Sequence, residues 1–317
     1  MLGYSAGVKA MDPTPHETAM HDSRRSLLLG AASLVAAPWV HSQPRQPQRV
    51  IYPAPISALD SRSDDLVTLL RAALERTERS HGPFELQPSI PLETLARQIV
   101  QLEQGAGLSV IWASPSAVPE RGLRPVRVPT RRGLLGFRVA LIHERNQAAL
   151  RRVRDADGLR RFALGQGSSW PEVAMYRAHG FQVETGNYEA LFRMLHQGRF
   201  DLFPRGVNEA FAEQAARAAQ LPGLVVENSL LIHYPLPYYF YCHRDDRALA
   251  ARLEQGLRAM VRDGSYEAHF WRFHGDAIRQ ARLQERRLIR LSNPQLAPGT
   301  VPSEPALWLD PVALTRR

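Results

Sequence analysis

The chain has 317 residues, 44% hydrophobic and 22% charged, enough to bury a core in one large domain or two smaller ones. Its 21 glycines and 24 prolines fall short of what collagen-like or disordered chains carry. The net charge is +9, nearly all of it arginine. The arginines are scattered through expected helices (Arg151, Arg152, Arg160, Arg252, Arg258) without a nucleic-acid-binding motif. They are therefore read as solvated helix faces rather than a nucleic-acid surface.

In chain order, the first feature is an address. Ser-Arg-Arg-Ser-Leu-Leu-Leu at 23–29 leads into small apolar residues over 30–40. A basic start, a short apolar run and a polar break make a bacterial export signal, and the adjacent Arg24 and Arg25 resemble its twin-arginine form. The run is far shorter than the roughly 20 residues of a membrane span. Residues 1–42 are thus expected to be a removed signal, with translation starting at Met20 and the exported chain near Gln43. Cutting there removes Lys9, Arg24 and Arg25 together with Asp12, Glu17 and Asp22, so the net charge is unchanged.

A Pro/Gln-rich linker at 43–49 precedes alternating short apolar runs and amphipathic segments. A strand at 49–54 is followed by a helix at 64–76, with Leu66, Leu69, Leu70, Ala73 and Leu74 at helical spacing behind Ser63 as N-cap. A strand at 84–88, a helix at 92–104 closed by Gly105, and a buried strand at 108–113 complete a βαβαβ order. That order is the signature of a sheet covered by helices. An Arg- and Pro-rich linking region, 114–133, leads to a long apolar run at 134–143. The alternation then restarts, with strands at 162–166, 181–185 and 200–204 and helices at 171–179, 187–197 and 208–220. A strand at 224–233, an aromatic strand at 234–241 and a helix at 247–263 follow, then the region around Trp271.

Gly165-Gln-Gly-Ser-Ser-Trp170, Gly180-Phe-Gln-Val183, Tyr188-Glu-Ala-Leu-Phe-Arg-Met-Leu195 and Gly198-Arg-Phe-Asp-Leu-Phe-Pro-Arg205 resemble the second lobe of bacterial periplasmic solute-binding proteins of family 3, the polar amino-acid type. Pro237-Tyr-Tyr-Phe-Tyr241 and the helix ending Met260-Val-Arg-Asp-Gly264 resemble the return to the first lobe. The resemblance covers about 48–290. It implies an α/β, two-lobed type II periplasmic-binding-protein fold with two crossover strands and an interlobe cleft. Lobe 1 is then 50–141 plus 236–317, and lobe 2 is 142–235. The chain diverges in one respect. The family's ligand-gripping arginine after the third strand has no match in Val110-Ile-Trp-Ala-Ser-Pro-Ser-Ala-Val-Pro-Glu-Arg121.

Candidate ligand contacts follow from strand ends. Gly167, Ser168, Ser169 and Trp170 lie between a strand and a helix whose N-terminus presents free N–H groups to an anion. Ser169 is expected to cap that helix, with or without a ligand contact. Arg205 ends the next strand and would grip a ligand anion or pair with an acid such as Glu209. Tyr188 stands at a third junction, beside Asn187 as N-cap. In the first lobe, Tyr52, Trp112 and Ser114 end strands where a ligand would stack, and for both aromatics a core position is the alternative.

Catalytic signatures are absent. There is no Gly-x-Ser-x-Gly, His-Glu-x-x-His or phosphate-binding loop, and Gly165-Gln-Gly167 lacks the third glycine of a dinucleotide site. His233, His243, His269 and His274 lack metal-ligand spacing with a carboxylate, and the lone Cys242 rules out a disulfide framework or cysteine-based metal site. No cofactor or metal is expected. The expectation is a monomeric, non-catalytic periplasmic protein that binds a small polar or anionic, amino-acid-like molecule for an ABC permease or membrane sensor. The alternative is an exported interaction or structural protein that uses the same lobes without a small ligand.

Overall fold

A computed structural model describes residues 46–55, 63–92, 94–118 and 122–310, all within the compact unit Arg45–Arg317. The expected export signal with Arg24 and Arg25 lies outside the described residues. In the first lobe β1 (Gln48–Tyr52) runs parallel to β2 (Phe84–Pro88), with Val50 opposite Leu86. Between them α1 (Asp64–Glu75) turns Leu66, Leu69, Leu70, Ala73 and Leu74 inward, as their spacing dictates, and a short α2 (Glu78–His81) follows. Helix α3 (Leu95–Glu103) begins at Thr94, whose side chain accepts from the Arg97 N–H. Strand β3 (Val110–Ala113) is tied to β1 through Ser109, whose N–H donates to the Ile51 carbonyl at 2.8 Å.

The Arg- and Pro-rich segment expected as a linker contains a strand, β4 (Leu123–Val126). Among the described residues it pairs only with β11 (Tyr239–His243), at the edge of the β3-β11-β4 sheet. An edge strand tolerates Pro125, which has no N–H to give a second neighbour.

The long apolar run is β5 (Phe137–His143), which is buried along nearly its whole length and leads into the segment expected as the second lobe. After α4 (Gln147–Leu150) and α5 (Ala156–Leu159), β6 (Leu164–Gly167) pairs in parallel with β7 (Val183–Gly186). Three helices follow their strands: α6 (Glu172–Ala178), α7 (Tyr188–His196) and α8 (Val207–Arg217). Strand β8 (Phe203–Gly206) sits beside β5, later than the expected 200–204, so Arg205 lies within the strand opposite Val139. The run 224–233 is two strands, β9 (Leu224–Val226) and β10 (Leu230–His233). They are parted by the fully buried Glu227, whose carboxylate accepts the N–H groups of Ser229 and Leu230.

The aromatic strand returns the chain to the first lobe as β11, with Tyr239, Phe240 and Cys242 fully buried. Two long helices follow, α9 (Arg247–Arg262) and α10 (Ser265–Ala281). Strand β12 (Arg287–Arg290) pairs with β10 in the second-lobe sheet. The division expected at 141/142 thus falls inside β5, and β12, assigned by that division to the first lobe, hydrogen-bonds in the second.

Helix α10 joins two of the four hydrophobic clusters among the described residues, one from each lobe. Tyr266 packs in the first-lobe cluster, and Phe270, Ile278 and Ala281 pack in the second. The C-terminal segment repeats this, with Leu307 in the first and Leu309 in the second. Among the described residues no helix is long and apolar enough to cross a membrane.

Candidate functional site

Strands β6 and β7 and the lead-in to β8 run parallel, the last through a bridge between Leu164 and Leu202. Their C-terminal ends gather at Gly167, Gly186 and Gly206, each followed by a helix, and open α/β sheets offer ligand sites at such ends. Three of the predicted residues meet here. The Arg205 guanidinium lies 4.7 Å from the Trp170 ring and 5.6 Å from that of Tyr188. The Trp170 ring is stacked in turn on Phe203. This aromatic cage holds the cation by π contact and excludes water from its faces.

Carboxylates close the cage. Arg205 donates to both oxygens of Glu213, from Nε at 2.7 Å and Nη2 at 2.6 Å, and Nη2 also lies 3.1 Å from Glu209 Oε2. The Tyr188 hydroxyl donates to Glu213 at 2.7 Å. Burial, and then its bond to Glu213, push the Tyr188 phenol well above its ordinary range. The sequence offers Glu209 as a partner for Arg205, and that pairing is present. Glu213, two helical turns into α8, is a partner the sequence reading missed.

Sequence reasoning also missed Arg138, inside the apolar run of β5. It donates to Glu172 Oε1 at 2.7 Å and stands 3.8 Å from Glu209. Burial pulls its guanidinium down, but the attraction of Tyr234, Glu172 and Glu209 outweighs it and keeps the proton bound. Its Nε is buried with no hydrogen bond among the described residues. Burial likewise pushes the Glu209 carboxyl up, while Arg205, Arg138 and the Gly206 N–H pull it down further, so it stays ionised. The Glu209 side chain is 34% exposed against 8% for each arginine, so it is the charged group of the network most open to solvent.

Several expectations are corrected. Helix α6 has Pro171 at its N-cap and no side-chain cap bond, so Ser169 does not cap it; Ser168 and Ser169 are exposed. The Trp170 N–H instead bonds the Gly167 carbonyl in a tight turn, and Glu172 in the first helical turn goes to Arg138. A Cβ on Gly167 would lie 2.5 Å from the Trp170 ring. The close approach that this glycine permits is therefore taken by tryptophan. Asn187 does cap α7, accepting from Ala190 N–H at 2.8 Å.

The first-lobe candidates do not join this group. Trp112 is buried edge-on to Phe240 and 6.4 Å from the half-buried Tyr52, both in the first-lobe core. Ser114 is buried, with its hydroxyl 3.0 Å from that of Ser116. The charged feature of this lobe lies elsewhere. Asp65, in the first turn of α1, takes Arg131 bidentately at 2.6 and 2.7 Å and lies 3.2 Å from His274 of α10. Burial raises the Asp65 carboxyl, but Arg131 and His274 outweigh it and hold it far below the carboxylate range. Among the described residues no cluster of His, Cys, Asp and Glu could hold a metal ion. Cys242 is buried, and burial pushes its thiol well up.

No protein-family model and no curated relative matches the chain. Solved structures do. The GluR0 ligand-binding core in complex with L-glutamate aligns with a TM-score of 0.50 at 14% identity, over 72% of this chain and 98% of that one. The chain has the two-lobed periplasmic-binding fold. Other similar structures are an ancestral arginine-binding protein bound to arginine (TM-score 0.48, 16% identity, 73% of this chain and 99% of that one) and the ancestral amino-acid-binding protein AncCDT-1, a precursor of cyclohexadienyl dehydratase (0.47, 16%, 72% and 94%).

Proposed function

We propose that this chain is a non-catalytic solute-binding protein that captures a small, amino-acid-like molecule at the strand ends of its second lobe and closes the first lobe over it. The reading rests most on one juxtaposition. A buried guanidinium with a donor to spare, Arg138 Nε, sits beside a carboxylate that solvent still reaches, Glu209. Paired charges of both signs suit a zwitterion better than a simple anion, because each charge of the ligand then finds an opposite partner. Trp170 and Tyr188 supply the apolar wall that such sites usually have. Contacts from both lobes would favour the closed population, and an ABC permease or membrane sensor would read it after twin-arginine export to the periplasm.

The test is thermal unfolding of the full chain against a panel of amino acids, dicarboxylates and small peptides. A ligand specific to the native state stabilises by about 2.7 kcal/mol at a hundredfold excess over its Kd, a shift of several degrees for a chain of this size. The shift is expected to vanish in Arg205→Ala and to fall sharply in Glu209→Gln, with the ligand recovered unchanged. Wild-type affinity in Arg205→Ala would refute the placement.

A second reading has its own support. Arg131, Arg138 and Arg205 already have carboxylate partners, and α10 and the C-terminal segment tie the two cores together. That arrangement suits an interaction protein that keeps its lobes set. Absence of any shift across the panel in a cooperatively unfolding protein would favour it.

A further inference from the structure

The C-terminal segment does more than cover the crossovers. Leu307 and Leu309 enter opposite cores, and the Leu309 N–H donates to the Arg132 carbonyl at 2.8 Å. Between them Trp308 is held in place, its Nε1–H donating to the Pro302 carbonyl at 2.7 Å. Its ring lies on Gly133, where a Cβ would come within 2.7 Å of it. Gly133 has φ of +72° and follows Arg132 at +48°, so the chain turns sharply beneath the indole before entering β5.

A cavity of about 480 Å³ opens beside this wall, within the roughly 300–1,000 Å³ of small-molecule sites. Phe137 of β5, His233 of β10 and Leu288 of β12 line it together with Trp308. The Phe137 and His233 rings pack at a tilt of 35° with centroids 4.3 Å apart, so this side is aromatic and largely apolar. Two arginines, Arg132 and Arg290, face one aspartate, Asp310, around the lining. Arg132 is taken by Glu267 at 3.4 Å and the Trp308 carbonyl at 3.0 Å. Arg290 is exposed and forms no ion pair among the described residues. None of Trp170, Tyr188, Arg205 and Glu209 lines the cavity.

We propose that this cavity is a second ligand site, distinct from the strand-end cluster, that takes a small amphipathic carboxylate with its apolar body between Trp308, Leu288 and Phe137 and its carboxylate at Arg290. An apolar wall with one uncommitted guanidinium at its edge rewards a molecule of that polarity; an alcohol of equal length lacks the charge, and an amino acid exposes an ammonium to apolar surface. The assignment stands whether or not the strand-end cluster binds a solute.

The experiment is calorimetric titration of the full chain with octanoate, 4-phenylbutyrate and octanol. Saturable binding of at least one acid is expected, with octanol at least tenfold weaker. Arg290→Glu, a surface change, is expected to weaken the acid at least tenfold, and Leu288→Trp, which fills the cavity, to abolish binding. No saturable binding of either acid to a cooperatively folded protein overturns the proposal. So does undiminished binding by Arg290→Glu. A chain ended at Asp310 completes the test: binding gained only on that shortening assigns the cavity to the chain's own last residues and overturns the proposal as well.

Discussion

His233 closes β10 with its ring against Phe137, half-buried beside Arg290. Burial, and then the Arg290 charge, push its imidazole down to about 4 from an ordinary 6.5. Between those values the unfolded chain binds a proton that the folded chain refuses, so this stability is present above about pH 6.5 and is lost as the pH falls towards 4. Chemical denaturation from pH 7 to 4 should show a loss on the order of 2 kcal/mol that His233→Phe largely lacks. An equal loss in the variant would assign the effect to other groups. At this scale the sequence was legible where a role is local, as with Asn187 at the start of α7. It was illegible where a partner comes from far along the chain. Arg138 reads as one polar residue in an apolar run, and its partner Glu172 lies 34 residues away.

Helices α1 and α9 show how a single position governs the packing of an element. Gly256 of α9 sits against the backbone of α1, and a Cβ there would lie 2.1 Å from the Ala73 carbonyl oxygen. Gly275 of α10 is also helical and buried, but the nearest atom to its Cβ is the flexible end of Arg279, at 3.0 Å. The same substitution should therefore have opposite signs. Gly256→Ala forces two backbones apart and is expected to cost about 1–3 kcal/mol. Gly275→Ala is expected to gain up to about 1 kcal/mol from helix propensity. Thermal unfolding of the two variants decides it, and similar losses in both would contradict the packing described. Elements with a strong period were readable from the sequence: α1, α7 and α9 begin and end within one or two residues of expectation. Strand β4 was not, because its Arg-Pro composition looks like linker until β11 is there to pair with it.

For the whole molecule, the question is what ties two lobes together. Asp65 on α1, Arg131 before the first crossover and His274 on α10 bring three distant parts of the chain into one buried contact. Since Arg131 and His274 hold the Asp65 carboxyl far below its unfolded value, this stabilisation is complete above about pH 4 and is lost as the pH falls further. Asp65→Asn leaves Arg131 buried without that counter-ion and should cost on the order of 3–5 kcal/mol at neutral pH. The gap between variant and wild type should narrow below pH 4, where the Asp65 carboxyl of the unfolded wild-type chain takes up a proton that the folded chain still refuses. A gap independent of pH would mean that the site is stabilised by shape rather than charge.

What the sequence by itself determined is the order of the strongly periodic strands and helices, the inward face of α1 and the two-lobed α/β class. These follow from apolar periodicity, capping residues and glycine stops, which act within a turn or two of chain. Only the tertiary structure decided that β12 joins the second sheet, that α10 and Leu307–Leu309 bridge the cores, and that Arg205 meets Glu213 inside a cage of Trp170 and Tyr188. Strand pairing and the satisfaction of a buried charge depend on groups tens to hundreds of residues apart. Their free energy exists only once both partners have left water together, and no local pattern records it.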